Sequence, residues 1–213
     1  TGLLQRISGM TDDVSWLRIR EEWVEITEDI TGARMHVSAI RLGGTIAQID
    51  DASAARIAHA ATLALPQVDT AKWKDLGVLD ASVIAEFGIT GIPDISHDAA
   101  ARVEFTLARV VEIIRALPAA ARDVMALAGP TETSLPKVVR VPVGESYQTT
   151  CGATGRVGVW LFSDGGKSPY RLGLRSPSAI HMSAIESVSH NRTFDDIHAL
   201  LETVPLALGE IDR

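Results

Sequence analysis

The sequence predicts a mainly helical α+β protein: a helical bundle core with a small β hairpin or sheet placed before the last two helices. Three observations predict it. Two long segments repeat apolar residues at alternating three- and four-residue steps, the period of one helix face. The block over residues 137–177 reads instead as short apolar runs divided by Gly, Pro and Asp, as antiparallel strands do. Strand and helix do not alternate along the chain, so a doubly wound nucleotide-binding sheet is not expected.

Taken in order, Leu3 to Ile7 reads as a helical tail. Trp16, Ile19, Trp23, Ile26 and Ile30 form the first clear stripe. Asp12 and Asp13 suit its N-terminus through capping and the helix dipole, and Gly32 is a natural stop. Ala52 to Leu65 is alanine-rich, with Ile57, Ala61 and Leu65 on one face and Pro66 ending it. Asp80 caps a short helix through Phe87, and Gly88 to Pro93 is a turn. Asp98 opens the second stripe, Val103, Leu107, Val110, Ile114 and Leu117, which Pro118 kinks or ends. Two such stripes suit shallow bundle packing, so these two helices are the expected bundle core. Gly129 to Pro136 is a polar link. Val138 to Val143 and Val157 to Ser163 read as strands, Asp164 to Lys167 as a turn, and Tyr170 to Arg175 as a return strand. Ser176-Pro177-Ser178 caps a helix to about Ser189, and a last helix runs from about Asp195 to Leu208 with Ile197, Leu201, Val204 and Leu208 on one side. The expected organisation is one domain over 1–213, with a helical core over 1–128 and 178–209 and a β insertion over 137–177.

Composition narrows the function. Lys plus Arg number 20 and Asp plus Glu 27, a net charge of −7, which argues against binding a nucleic-acid backbone. Hydrophobic residues are 46% and charged residues 22%, so the chain is an ordinary globular one, and 5% aromatics make the core aliphatic and alanine-rich. The one cysteine, Cys151, excludes an internal disulfide framework. It also excludes a zinc cluster or an all-cysteine iron–sulfur site held by this chain alone. No stretch approaches the roughly 18–20 apolar residues of a membrane span. Thr1 to Met10 lacks the pattern of a signal peptide. The expected location is cytoplasmic, with peripheral attachment to the cytoplasmic face of a membrane through partner subunits left open.

The residues that carry chemistry are scattered. Gly43-Gly44 and Gly165-Gly166 sit in no phosphate-binding motif and read as turns. The six histidines show no metal-binding spacing and read as surface or hydrogen-bonded core side chains, with no metal expected. Cys151 lies beside Gly152 in what reads as a polar loop; a nucleophile there needs a base and an orienting group that the sequence does not place. Arg171 and Arg175 fall on one face of a strand, where paired arginines bind carboxylates or a neighbouring chain, or simply form a solvated face. Composition and spacing alone reach a soluble helical domain with a β hairpin, acting as part of a larger assembly.

Four blocks go further. Thr31-Gly32-Ala33-Arg34-Met35-His36 with Ile40-Arg41-Leu42-Gly43-Gly44 is the first. Leu76-Gly77-Val78-Leu79 with Phe87-Gly88-Ile89-Thr90-Gly91 is the second. Ser163 to Leu172, followed by Arg175-Ser176-Pro177-Ser178, is the third, and the ending Leu208-Gly209-Glu210-Ile211-Asp212-Arg213 is the fourth. In this order they resemble the 49-kDa-type, hydrogenase-like D-subunit of respiratory NADH–quinone oxidoreductase (complex I), over nearly the whole chain. The resemblance implies a helical core related to the large subunit of nickel–iron hydrogenases. With one cysteine, the chain lacks the two CxxC pairs that hold the metal in those relatives.

The resemblance also implies roles. His36 matches a histidine beside the terminal iron–sulfur cluster, which a neighbouring subunit ligates, and imidazole there can couple proton to electron transfer. Arg34 and Arg41 match arginines flanking that region, and Asp212 and Arg213 match a C-terminus on the quinone side. The implied partners are the other subunits of a respiratory complex, above all the iron–sulfur subunit, together with quinone. No catalytic residue and no cofactor are expected of this chain alone. The expected function is to help pass electrons from NADH, through clusters on partner subunits, to quinone. The family's quinone-contacting N-terminal hairpin is not among these 213 residues, and Arg6 stands where the family has an acidic partner for its histidine. These departures leave an alternative, a non-catalytic relative that kept the fold as a binding or scaffold subunit.

Overall fold

The computed structural model describes residues 2–35, 37–45, 47–89, 98–127, 132–136, 140–152 and 155–211. In chain order its elements are α1 (Gly2–Thr11), α2 (Ser15–Thr31), β1 (Ile40–Arg41), β2 (Gly44–Thr45), α3 (Asp51–Ala60), a 3-10 turn (Ala71–Trp73), α4 (Ala81–Phe87), α5 (Ala99–Ala126), β3 (Gly144–Gly152), β4 (Gly155–Ser163), β5 (Arg171–Arg175), α6 (Pro177–Val188), α7 (Phe194–Thr203) and α8 (Leu208–Ile211). The chain is α+β, as its apolar periodicities dictate. It divides into two compact units: Thr1–Asp69 with Phe105–Pro136, and Thr70–Glu104 with Lys137–Arg213.

In the first unit, α2 buries Trp16, Ile19, Trp23 and Ile26 of the expected stripe, and Val24 beside them, while Ile30 is half-buried. The Asp13 carboxylate accepts the Ser15 N–H at 2.8 Å, and this bond holds its pKa below the ordinary carboxylate value. Gly32 closes the helix in the left-handed region, φ 76°, its N–H donating to the Glu28 carbonyl at 2.7 Å. Asp50 caps α3 by accepting the Ser53 N–H at 2.8 Å. The helix ends at Ala60, short of Leu65, and buries Ile57 and Ala60 rather than Ala61 and Leu65. The Thr62 N–H and hydroxyl both turn back to the His59 carbonyl, tightening the last turn and stopping propagation.

The second unit buries Leu79, Ile89, Ala184, Ile185, Leu200 and Val204 together. Arg102, 2% exposed, threads this unit: its guanidinium donates to Thr203 Oγ1 at 3.0 and 2.8 Å and to the Gly77 carbonyl at 2.9 Å. α5 starts where Asp98 accepts the Ala101 N–H at 3.0 Å. It runs through Pro118 to Ala126 instead of ending there, since a proline removes one backbone bond and the turns on each side keep theirs. α7 stops at Thr203, not Leu208, because Pro205 cannot continue a helix; its buried face is Ala199, Leu200 and Thr203, and Leu201 and Leu208 point to solvent.

The sheet is antiparallel, in the order β3-β4-β5. Of the strand expected over Val138–Val143, the first two residues lie outside the described set, and 140–143 are not a strand. Pro142 cannot donate to a ladder. The strand is β3, and it pairs with β4 from Gly144↔Ser163 to Gly152↔Gly155. Cys151 is therefore in a strand opposite Arg156 rather than in a loop, and it is exposed. All nine residues of β3 are exposed, so no apolar alternation announces it. Among the described residues no helix is long and apolar enough to cross a membrane.

Candidate functional site

After Gly32 the chain leaves α2 and folds into the small hairpin β1–β2, with Ile40 opposite Thr45 and Arg41 opposite Gly44. Leu42 and Gly43 make the turn. Gly43 has φ 93°, and a Cβ there would come within 2.9 Å of the Thr133 carbonyl oxygen and 3.2 Å of Leu135. Glycine is thus required on two counts, handedness and space. The hairpin is held from behind: Thr133 N–H donates to the Gly43 carbonyl at 2.8 Å, Gly44 bridges Glu132, and Ala39 is buried. Its large apolar side chains face out. Ile40 is 87% exposed and Leu42 77%; Met35, ahead of the hairpin, is 60% exposed. Single exposed apolar residues need no explanation; here two stand together on one small buttressed hairpin.

Arg34 and Arg41 are placed differently. Arg34 folds back onto α2, pairing with Glu21 and, at 3.0 Å, with Glu28. Those two carboxylates, Glu21 first, hold the guanidinium pKa above its usual value. Arg41 stands on the hairpin, its Nε–H donating to the Ser38 carbonyl at 3.3 Å, with no carboxylate partner among the described residues. No described contact joins the two arginines. His36, between them in sequence, lies outside the described residues, as do Asp212 and Arg213.

The C-terminal segment up to Ile211 is described, and it is pinned. Ser176, the cap of α6, donates its hydroxyl to the Glu210 carbonyl at 2.7 Å. Ser178 donates its hydroxyl to Glu210 Oε2 at 2.5 Å, while the Ser178 hydroxyl oxygen accepts the Ala207 N–H at 3.0 Å. The Glu210 carboxylate sits at the N-terminus of α6, where the helix dipole favours a negative charge. In sequence Ser176-Pro177-Ser178 reads as a cap and as part of a family block; its tie to Glu210, in a separate block, is seen only in the fold.

The other chemistry-bearing residues resolve simply. His181, 1% exposed, donates its Nδ1–H to the Pro205 carbonyl at 2.9 Å. His198 lies 3.2 Å from Glu202 on α7, and His190 and His59 are exposed. His97 lies outside the described residues. Gly165 takes φ 88° in the turn between β4 and β5, as that turn requires. Among the described residues no group of three or more His, Cys, Asp or Glu is placed to hold a metal ion.

A family model described as the 49-kDa subunit of respiratory-chain NADH dehydrogenase matches residues 7–106 and 122–213. The chain belongs to this family. Both the hairpin and the pinned C-terminal segment fall inside the 49-kDa-subunit match, and the stretch it passes over is the middle of α5. The chain is 27% identical to the NADH-quinone oxidoreductase D-subunit 2 of Solibacter usitatus, over 97% of its own length and 66% of that protein's. It is 26% identical to the D-subunit 2 of Streptomyces griseus over 97% and 64%. A 73-residue stretch, 34% of the chain and 19% of the relative, is 41% identical to the D-subunit of Geobacter sulfurreducens. The chain spans about two thirds of the length of the first two curated relatives.

Proposed function

We propose that this chain is a 49-kDa-type component of an NADH–quinone oxidoreductase. It packs on an iron–sulfur subunit and helps electrons pass from NADH, through clusters on partner subunits, to quinone. The observation that carries the reading is the β1–β2 hairpin: a family-matched turn, stapled from behind, that presents Ile40 and Leu42 to solvent beside Arg41. A lone cysteine does not fit an iron–sulfur cluster, so ligation falls to the partner. When bound there, the cluster supplies one-electron chemistry. This chain's part is to exclude water with the apolar hairpin, to set the positive charge of Arg41 beside the interface, and to hold a proton on His36. The hydrogenase-like helical core is the scaffold for that surface, and Asp212 and Arg213 belong to the quinone side. Attachment to the membrane is peripheral, through the partners.

The test is co-purification. Ile40→Asp with Leu42→Asp places two charges where the partner would bury apolar surface. Loss of the iron–sulfur subunit from the purified complex, with an unchanged circular dichroism spectrum and a lost low-temperature EPR cluster signal, is expected. A complex recovered intact overturns the reading.

One observation favours the alternative of a non-catalytic scaffold relative: the Arg34 guanidinium is committed to Glu21 and Glu28 of its own helix. Under that reading the chain still binds its partner, and the assembled complex shows no NADH–quinone activity.

A further inference from the structure

β5 is an edge strand. The sheet order leaves one side of Arg171–Arg175 without a neighbouring strand, and among the described residues no backbone bond covers that side. An open edge is a row of unpaired N–H and C=O groups, a template for another strand.

The side chains along this edge alternate in chemistry. Register fixes their faces: Phe162 is opposite Arg171, Trp160 opposite Gly173, and Gly158 opposite Arg175. Arg171 and Arg175 therefore share one face, with the Trp160 ring lying across Gly173 between them, 3.2 Å from where a Cβ would stand. Neither arginine has a carboxylate partner among the described residues. Leu172 and Leu174 point to the other face and are 53% and 48% exposed. Beside Leu174 and the end of the strand is an opening of about 510 Å3, walled by Phe87, Ile180 and Ile211, with Arg175, Glu86 and Glu210 also in its lining.

We propose that the β5 edge receives an extended segment of a partner polypeptide in which acidic and apolar residues alternate. The acidic side chains lie beside Arg171 and Arg175. The apolar ones lie beside Leu172 and Leu174, one of them entering the opening. Two features select this occupant. The strand reads Arg-Leu-Gly-Leu-Arg in both directions, so antiparallel pairing with a second copy would set arginine against arginine, which is unfavourable. Leu174 shares the opening with Phe87, Ile180 and Ile211, which favours an apolar side chain on the leucine face. Backbone pairing supplies affinity and the alternate side chains supply specificity, as in other strand-addition contacts.

The probe is a synthetic nine-residue peptide of alternating glutamate and valine, added to the full 213-residue chain and followed by amide hydrogen exchange and titration calorimetry. Protection confined to β5 is expected, with a scrambled peptide of the same composition inactive. R171E with R175E exchanges two attractive pairs for two repulsive ones. It should weaken binding by about tenfold or more while conferring binding of the lysine–valine counterpart. The double variant is first matched to the parent by circular dichroism, and charge reversal at two exposed positions leaves the core untouched. Protection at β3 instead of β5, affinity indifferent to the charge reversal, or a concentration-dependent dimer that competes with the peptide would each overturn the proposal.

Discussion

Gly77 illustrates how much one backbone position holds in this protein. Its φ of 59° is left-handed, and a Cβ there would lie 3.1 Å from Arg102 Nη2 and 3.2 Å from the Leu200 backbone nitrogen. Its carbonyl accepts from the buried Arg102, and its N–H donates to Asp196 at 3.0 Å. Gly77→Ala is expected to lower stability by about 1–3 kcal/mol, from the αL cost plus crowding of a group that cannot retreat. The urea midpoint, at unchanged slope, measures it. Asp196 gives the pH dependence. The Gly77 N–H first, then the Thr193 hydroxyl, hold its pKa below the ordinary carboxylate value. A depressed folded-state pKa contributes stability that is present above the unfolded value of about 3.9 and is lost as pH falls through the folded one. Asp196→Asn should therefore flatten the decline in stability between about pH 5 and pH 2 while leaving its shape above that range unchanged. An identical acid limb in parent and variant would show that Asp196 is not the group. Neither role was legible in the sequence: Gly77 stood out only within a family block, and Asp196 not at all, because their partners are far along the chain.

At the scale of elements, the helices with one buried stripe were legible and the boundary elements were not. α2 and α5 announce themselves because their apolar residues recur at helical spacing on a single face. β3 stayed hidden because a strand exposed over its full length has no hydrophobic alternation to read, while the valine-rich run before it carries Pro142. α7 was overextended because Leu201 and Leu208 complete an apparent stripe with Val204; Val204 is buried as expected, but packing buries Leu200 in place of the other two. The Glu210 anchor makes an element-scale prediction. Glu210→Ala removes the carboxylate from the α6 N-terminus and should cost about 1–2 kcal/mol. Amides of residues 207–211 should exchange faster, with the remainder of the unit unaffected. Uniform loss of protection across the unit would mean that Glu210 supports the core rather than the tail.

At the scale of the whole molecule, the family was legible in four short blocks, whereas the surface that supports its proposed role was not. The blocks are local and keep their order. Outward-facing Ile40 and Leu42 look like core residues in sequence, and only the fold reveals that nothing described in their own unit covers them. The acidic balance of −7 sets the background for both docking proposals. Arg41 on the hairpin and Arg171 and Arg175 on the sheet edge are local exceptions to it, so association at either surface should weaken as salt rises from about 0.05 to 0.5 M, where screening shortens to a few ångströms. Salt-independent binding at either surface would place the affinity in apolar contact alone.

The two units are interleaved along the chain, Thr1–Asp69 with Phe105–Pro136 and Thr70–Glu104 with Lys137–Arg213. On the ribosome this sets an order of assembly. The first unit has all its residues once Pro136 has emerged. Leu79 and Ile89 are made early, yet the residues that bury them, Ala184, Ile185, Leu200 and Val204, follow about a hundred residues later. Between residues 89 and 184 the nascent chain carries two of the six residues of that core with nothing to close them, a state that favours aggregation or chaperone capture. A product stalled before Ala184 would lack not a tail but most of that core.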